Sequence, residues 1–131
     1  MDDRIIALAS QRYISLTTFR RDGRAVATPV WFVLDGTRIL IWTDQASGKA
    51  KRIRANGRAA VAPSDARGTL TGPLSEAKGR VLPASEDARS RQLLNAKYRL
   101  LKPLVGLWSR IGLLVQRKKP PVEIFLEITL L

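Results

Sequence analysis

The chain has 131 residues, a length that suits one compact domain, and its formal net charge is +12. It contains no cysteine and no histidine, which excludes disulfides, thiol catalysis and the usual Cys/His zinc sites. Hydrophobic residues make up 45% of the sequence, so we expect a folded globular chain rather than a disordered one.

The first half of the chain is predicted to be a meander of antiparallel strands. Residues 2–10 are expected to form a short helix, and acidic residues at its start argue against a signal peptide, so we expect a cytoplasmic protein. Strands are predicted at 12–19, 25–35 and 37–43, with Asp-Gly turns after the first two. Pro29 inside the second strand indicates an edge or a bulge, and the third strand is apolar on both faces.

The middle of the chain is predicted to continue as helix, strand and strand. A short helix is expected over 47–57, with Gly57 just beyond its C-terminal end. Strands follow at 58–65 and 74–82, and Gly79 in the second of them indicates a bulge.

The period of the apolar residues changes after Pro83. Residues 85–101 have acids in the first turn and cations in the last, as a helix dipole favours. Residues 104–119 form a looser amphipathic stretch, and 122–131 are predicted to be a closing strand. About six strands and two or three helices predict a mainly β, α+β domain, best described as a barrel with helical insertions.

The stretch "ASGKAKRIRANGRAAV" (46–61) contains five cations and no acid. A helix start exposes unpaired amides and a partial positive charge, so a hydroxyl, a glycine and a lysine there make a phosphate site. Ser47, Gly48 and Lys49 supply these three features, with Ser47 as the N-cap. Thr43, at the end of the preceding strand, adds another hydroxyl. A solvated basic helix face is the alternative, and helical spacing prevents all five cations from sharing one face.

Two tryptophans lie on the strands that flank the second Asp-Gly turn. The indoles of Trp31 and Trp42 are placed to wall a flat ring system, although core packing is the commoner role of tryptophan. No catalytic acid–base pair is evident, because Asp22 and Asp35 sit in turns and no histidine is present to activate a hydroxyl. We assign no catalytic residue and expect no metal, so an enzyme of this sequence would need a bound organic cofactor.

Residues 101–119 alternate apolar side chains with lysine and arginine. This pattern is typical of a helix that lies at a membrane surface, and peripheral membrane contact through 101–119 is therefore one hypothesis. A helix that covers one end of a barrel or a dimer surface has the same pattern and is commoner.

The segment "YISLTTFRRDGRAVATPVWFVLDGTRILIWTDQASGKAKRIRANGRAAV" carries a resemblance to a known family. It resembles the pyridoxamine-phosphate-oxidase-like, flavin-binding split β-barrel superfamily, and within it the actinobacterial deazaflavin-dependent oxidoreductases that use coenzyme F420. The resemblance implies a six-stranded antiparallel split β-barrel with two or three helices. A single domain, 1–131, would have its core at 10–82, a helical insertion at 83–120 and a closing strand at 121–131.

The resemblance also implies a function and a site. It implies a homodimer with cofactor sites at the dimer interface, and hydride transfer between reduced coenzyme F420 and a small organic substrate. The "IWT" and "SGK" positions correspond to those that hold the cofactor phosphate, and the "TPVW" positions to those that line the ring. The cofactor-binding residues expected on these grounds are Thr28, Val30, Trp31, Trp42, Thr43, Ser47, Gly48, Lys49, Lys51 and Arg52.

Several alternatives stay open at this level. Flavin-using relatives often carry arginine where Gly48 stands, and the phosphate and glutamate chain of coenzyme F420 suit a wide basic groove, so FMN is the second choice of cofactor. The high positive charge also allows two other hypotheses, a non-catalytic cofactor carrier and a basic nucleic-acid-binding domain. No nucleic-acid-binding motif in the sequence supports the second of these. Tyr13, Tyr98 and Trp108 are considered for the substrate side, with Tyr98 as a proton donor.

Overall fold

The protein is described here by a computed structural model that covers residues 3–98 and 123–131. The described residues do not include Trp108 or the predicted amphipathic stretch 104–119. The hypothesis of membrane contact concerns 101–119, which also lies outside them. The elements in chain order are α1 (Asp3–Ala9), β1 (Tyr13–Phe19), β2 (Ala25–Val30), β3 (Phe32–Asp35), β4 (Arg38–Asp44), α2 (Gly48–Asn56), β5 (Arg58–Ser64), β6 (Ser75–Val81), a 3-10 turn (Ala84–Glu86), α3 (Asp87–Tyr98) and β7 (Glu123–Leu130).

The strands form one antiparallel sheet that curls into a split barrel. Its order is β2-β1-β5-β6-β7-β4-β3. Strands β2 and β3 are separated in the chain by Trp31 alone, yet they occupy the two opposite edges of the sheet. The sheet therefore bends until its two edges approach each other, and the chain crosses that seam at Trp31.

This crossing corrects the predicted strand count. The predicted strand 25–35 is two strands, so the described residues contain seven strands where six were predicted. The physical reason is a change of partner at the seam, because Val30 pairs with Ile14 of β1 whereas Phe32 pairs with Ile41 of β4. Pro29 lies on β2, an edge strand, which confirms the edge that the proline indicated.

Strand β4 is buried on both faces, as its apolar sequence predicted. Ile39 and Ile41 belong to the core cluster inside the barrel, whereas Leu40 belongs to a second cluster, and all three are 0% exposed. Leu94 and Phe125 also belong to that second cluster, so α3 packs on the outer face of the sheet. Each such aliphatic side chain stabilises the fold by roughly 1.5–3 kcal/mol when fully buried.

Helix α2 begins and ends where the sequence predicted. The Ser47 hydroxyl accepts a hydrogen bond from the amide of Ala50 at 3.2 Å, which caps the first turn. Gly57 follows the last turn with a φ of 71°, a left-handed conformation that favours glycine, and its amide donates to the carbonyl of Ile53 at 2.9 Å. The carbonyl of Gly57 accepts from the amide of Gly79 at 2.8 Å, which ties the end of α2 to β6.

The predicted bulge at Gly79 is wrong. The register of β6 with β7 continues without interruption through Gly79, which pairs with Ile128. A Cβ at this position would lie 2.7 Å from Cδ1 of Ile128 and 2.9 Å from Cδ1 of Ile53. Glycine is needed there because α2 packs closely against the sheet, not because the backbone bends.

A network of ion pairs joins the closing strand to the rest of the barrel. Arg38 of β4 contacts Asp35, Glu86 and Glu127, and Glu127 also accepts from Arg80. Hydrogen bonds from these arginines hold the pKa values of Asp35 and Glu127 below their usual range, although partial burial opposes that shift. The network contains no residue of the cavities described below, so its role is to fix the β3–β4 turn and β7 in place.

Candidate functional site at the start of helix α2

Two cavities flank the first turn of α2. We call the first the tryptophan cavity, with a volume of about 350 Å³, and the second the hairpin cavity, with a volume of about 550 Å³. The tryptophan cavity is lined by Pro29, Val30, Trp31, Trp42, Thr43, Asp44, Lys49 and Glu123. The hairpin cavity is lined by Phe19, Arg20, Arg21, Asp22, Arg24, Gly48, Lys51, Arg52 and Ala55.

The two tryptophans of the first cavity have different surroundings. The ring of Trp31 stacks on that of Tyr98, with centroids 4.8 Å apart and an interplanar angle of 19°, and it packs against the second core cluster. Trp42 is 39% exposed on β4. Core packing therefore describes part of the role of Trp31, whereas the exposed indole of Trp42 is free to meet a ligand.

Tyr98 anchors α3 to the seam of the barrel. Its hydroxyl donates to the carbonyl of Arg12 at 2.7 Å and accepts from the amide of Phe32 at 3.1 Å. Burial raises the pKa of Tyr98 to about 12, while the hydrogen bond from Phe32 opposes that rise. A buried phenol that is bonded to two backbone groups fits a structural anchor better than the proton donor considered from the sequence.

The hydroxyls at the start of α2 form a short chain of hydrogen bonds. Thr43 donates from Oγ1 to Oγ of Ser47 at 3.0 Å, and that same oxygen accepts from the amide of Ala50. Within the described part of the chain, nothing accepts from the amides of Gly48 and Lys49. Two donors of the first helical turn thus remain available beside the two cavities.

Lys49 is the cation of the tryptophan cavity. Burial is the largest cause that lowers the pKa of Lys49, and the positive charge of Arg52 lowers it further. No ion pair with an acid is formed by Lys49 among residues 3–98 and 123–131. A partly buried ammonium without a counter-ion favours the binding of an external anion.

The hairpin cavity is more basic. Its cations come from the β1–β2 turn and from one side of α2, and they are Arg20, Arg21, Arg24, Lys51 and Arg52. Its acid is Asp22, which already pairs with Arg24 at 2.8 Å. This concentration of positive charge gives the cavity a potential that attracts anions.

The structure divides the predicted site residues between the two cavities. Neither cavity is lined by Thr28 or by Ser47, whose hydroxyl is used in capping. The predicted residues that line the tryptophan cavity are Val30, Trp31, Trp42, Thr43 and Lys49. Those that line the hairpin cavity are Gly48, Lys51 and Arg52.

Other lining residues were not predicted. Asp44 and Glu123 pair across β4 and β7 at the rim of the tryptophan cavity, and only the strand register brings them together. The arginines of the "RRDGR" turn were visible as a basic hairpin, and the contact of α2 with β1 places them beside Arg52. A basic turn that precedes a basic helix was the available signal.

Two findings on the described ranges concern metal ions and membrane-spanning helices. Residues 3–98 and 123–131 contain no cluster of three or more acidic, histidine or cysteine side chains that could hold a metal ion. In the same ranges, no helix combines the length and the apolar character needed to cross a bilayer.

The fold has many relatives among solved structures. An F420 reductase is 20% identical with a TM-score of 0.58, and the match covers 95% of this chain and 91% of that one. A FAD-binding protein from Mesorhizobium loti is 14% identical with a TM-score of 0.65, covering 98% and 88% of the two chains. A conserved hypothetical protein from Mycobacterium tuberculosis is 21% identical with a TM-score of 0.66, covering 99% and 81%. At these identities the matches establish the fold.

A family model gives the broader assignment. No curated protein matches the sequence. The model described as pyridoxamine 5'-phosphate oxidase matches residues 2–125, which is nearly the whole chain. Together with the curled antiparallel sheet and its solved relatives, this match means that the chain belongs to the pyridoxamine 5'-phosphate oxidase family of split β-barrel proteins.

Proposed function

We propose that this protein is an oxidoreductase that binds the deazaflavin coenzyme F420 and transfers a hydride between its reduced form and a small organic substrate. The observation that carries the proposal is Lys49, a partly buried cation without an acidic partner in the described structure, next to two tryptophans and two unbonded amides. Membership of a family that includes oxidoreductases supports it, and so does the structural likeness to an F420 reductase.

The donor set fits a phosphate group. The ammonium of Lys49 supplies the charge, and the amides of Gly48 and Lys49 supply directed hydrogen bonds at the positive end of α2. The hydroxyl of Thr43 is close to this group of donors through its bond to Ser47. Charge-assisted hydrogen bonds of this kind contribute about 1.5–3 kcal/mol each when they are partly desolvated.

The protein's own residues hold and orient the cofactor rather than react. Trp42, exposed on β4, and Trp31, backed by Tyr98, would flank the flat ring and exclude water from its faces. When bound, coenzyme F420 supplies two-electron hydride chemistry at its central ring carbon. The hairpin cavity, on the other side of the first turn of α2, is the place we propose for the anionic part of the molecule beyond the phosphate.

FMN is the second candidate for the same cavity. The likeness to a FAD-binding protein supports a flavin in this fold. Position 48 argues for the deazaflavin instead, because an added Cβ there would lie 2.6 Å from Nη1 of Arg52 and an arginine side chain would meet the same obstacle.

A homodimer is part of this proposal. Within the described residues, Trp42 is 39% exposed at the tryptophan cavity, and a second copy of the chain would cover this indole. Light scattering coupled to size-exclusion chromatography is expected to give twice the chain mass. A monomer that binds the cofactor normally would remove the dimer from the proposal without affecting the rest.

The proposed function is tested by titration with oxidised coenzyme F420, followed by its fluorescence. We expect saturable binding with a Kd in the range of tens of micromolar or tighter, which is typical of enzyme ligands. FMN is titrated in parallel as the matched control. Tight FMN binding, or protein that purifies yellow, would favour the second candidate, and absence of binding by both compounds would reject a cofactor-dependent enzyme.

A further inference from the structure

Arg52 is the cation of the hairpin cavity that the fold holds in one position. Its Nε donates to Oγ1 of Thr18 at 2.6 Å. Thr18 is 1% exposed on β1, so the acceptor itself is fixed by the core. The other two nitrogens of the guanidinium, Nη1 and Nη2, make no hydrogen bond or ion pair within the described residues, and Arg52 lines the cavity.

Gly48 makes room for this guanidinium. A Cβ at position 48 would lie 2.6 Å from Nη1 of Arg52 and 3.3 Å from both Cζ and Nη2. Gly48 is not among the glycines with positive φ, so its backbone conformation is open to other residues. Glycine at this position therefore leaves free the space that the Arg52 guanidinium occupies.

No acidic side chain pairs with the charge of Arg52 among residues 3–98 and 123–131. Burial is the largest cause that lowers its pKa, and the positive charge of Arg20 adds to the shift. The acid of the cavity, Asp22, is engaged by Arg24. Holding a guanidinium in place beside other cations does not favour folding, so the arrangement indicates a ligand that would offset the repulsion.

We propose that Arg52 is the anion-binding residue that determines affinity in the hairpin cavity, with Thr18 and Gly48 as its positioning residues. The ligand is a group with two or more carboxylate or phosphate oxygens, because a guanidinium held at Nε presents its remaining nitrogens as a planar fork. That the anion is a part of the bound cofactor rests on the proposed function; the anion site itself does not.

The first experiment measures binding of pyrophosphate by titration calorimetry. Arg52→Ala is expected to weaken binding about 10–100-fold, the loss typical of a charge-assisted contact. Thr18→Val, which removes the acceptor at nearly constant volume, is expected to weaken it about 3–10-fold, and Thr18→Ser, which keeps the hydroxyl, is expected to bind like the wild type. Lys78→Ala is the matched control, since it removes a charge from β6 outside both cavities.

The second experiment tests whether Gly48 acts through Arg52. Gly48→Ala is expected to weaken pyrophosphate binding about 3–10-fold in the wild type and to have no further effect in the Arg52→Ala background, as a double-mutant cycle requires for coupled residues. Arg52→Lys keeps the charge but loses the fork, so it is expected to bind between the wild type and Arg52→Ala. Thermal melting identifies any variant whose loss of binding reflects unfolding. The variants that remain folded then decide whether Arg52 binds the anion and whether Gly48 positions it.

The outcomes separate this inference from the proposed function. If Arg52→Ala binds both coenzyme F420 and pyrophosphate as tightly as the wild type does, the inference is overturned and the proposed function is left intact. Pyrophosphate binding that depends on Arg52 in a protein that binds neither F420 nor FMN would support the anion site and reject the cofactor. Equal effects of Gly48→Ala in both backgrounds would overturn the positioning role of Gly48. No measurable binding of pyrophosphate or F420 to the wild type would overturn the site altogether.

Discussion

The tryptophan cavity and the hairpin cavity use the same helix start in different ways. The first combines two indoles with Lys49 and has Asp44 and Glu123 at its rim, whereas the second is lined mainly by arginine and lysine. Successive residues of α2 separate them, because Gly48 lines one cavity and Lys49 the other. The contrast teaches that the net charge of +12 is not a uniform coating. One part is placed beside an aromatic pocket and another in an open basic groove.

The largest expected effect separates the two walls of the tryptophan cavity. Trp31→Ala should lower the free energy of unfolding by about 2–3 kcal/mol, because it removes the stacking on Tyr98 and the packing against the second core cluster. Trp42→Ala should cost less than about 1 kcal/mol, since this indole is 39% exposed. Urea unfolding of both variants measures the difference. Equal costs would show that the two walls are equivalent and that Trp42 also belongs to the core.

The next effect compares the lysines of the two cavities. Lys49→Ala should weaken coenzyme F420 binding about 10–100-fold, because a partly buried cation without an acidic partner in the described structure contributes a charge-assisted contact. Lys51→Ala, an exposed lysine on the hairpin side, should weaken it less than about fivefold. Fluorescence titration gives both constants. The assignment of the phosphate to Lys49 fails if Lys51→Ala has the larger effect.

A smaller effect comes from pH. Lys49 binds an anion as an ammonium, and burial together with Arg52 already lowers its pKa in the free protein. A bound anion raises that pKa, so affinity is present below the free pKa and declines as the pH rises through it, by up to about tenfold per pH unit. The guanidinium of Arg52 stays protonated over that range and does not contribute to the decline. An arginine at position 49 would stay protonated as well, so Lys49→Arg should bind with little dependence on pH. Titrations between about pH 7 and pH 10 test this, and a decline that persists in Lys49→Arg would assign it to another group.

The smallest effect concerns the hairpin cavity without ligand. Arg20 lowers the pKa of Arg52 by its charge, so Arg20→Gln should relieve repulsion and raise Tm by about 1–3 °C at low salt. The gain should disappear in about 0.5 M NaCl, where the Debye length is a few ångströms. Arg67→Gln, on an exposed loop, serves as the control. A lower Tm for Arg20→Gln would mean that Arg20 stabilises the turn rather than opposes Arg52.

The sequence was sufficient for the features that local chemistry determines. The hydroxyl of Ser47 and the left-handed glycine at 57 define both ends of α2, and the two-faced burial of β4 follows from its apolar run. Of the predicted phosphate pattern at 47–49, Gly48 lines the hairpin cavity and Lys49 lines the tryptophan cavity. The assignment of these residues to a cofactor stays a prediction.

The features that sequence missed depend on contacts between distant segments. Nothing in residues 25–35 shows that the chain changes from one sheet edge to the other at Trp31, because both halves have strand-like patterns. Gly79 resembles a bulge until Ile53 and Ile128 are packed against it. The sequence does not indicate the role of Tyr98, because its hydroxyl forms hydrogen bonds with the backbones of Arg12 and Phe32, which are distant in the chain. Each of these requires tertiary packing that no local window contains.

The crossing at Trp31 has a consequence for how the barrel and its ligand depend on each other. The two sheet edges meet there without being paired to each other, so the barrel is fastened at that point by side chains rather than by a ladder. A molecule bound against the indole of Trp31 would add contacts between the two sheet edges at the seam. Ligand binding in the tryptophan cavity and association of the two sheet edges would then be coupled, and the melting temperature of the protein would rise with the fraction of protein that has ligand bound.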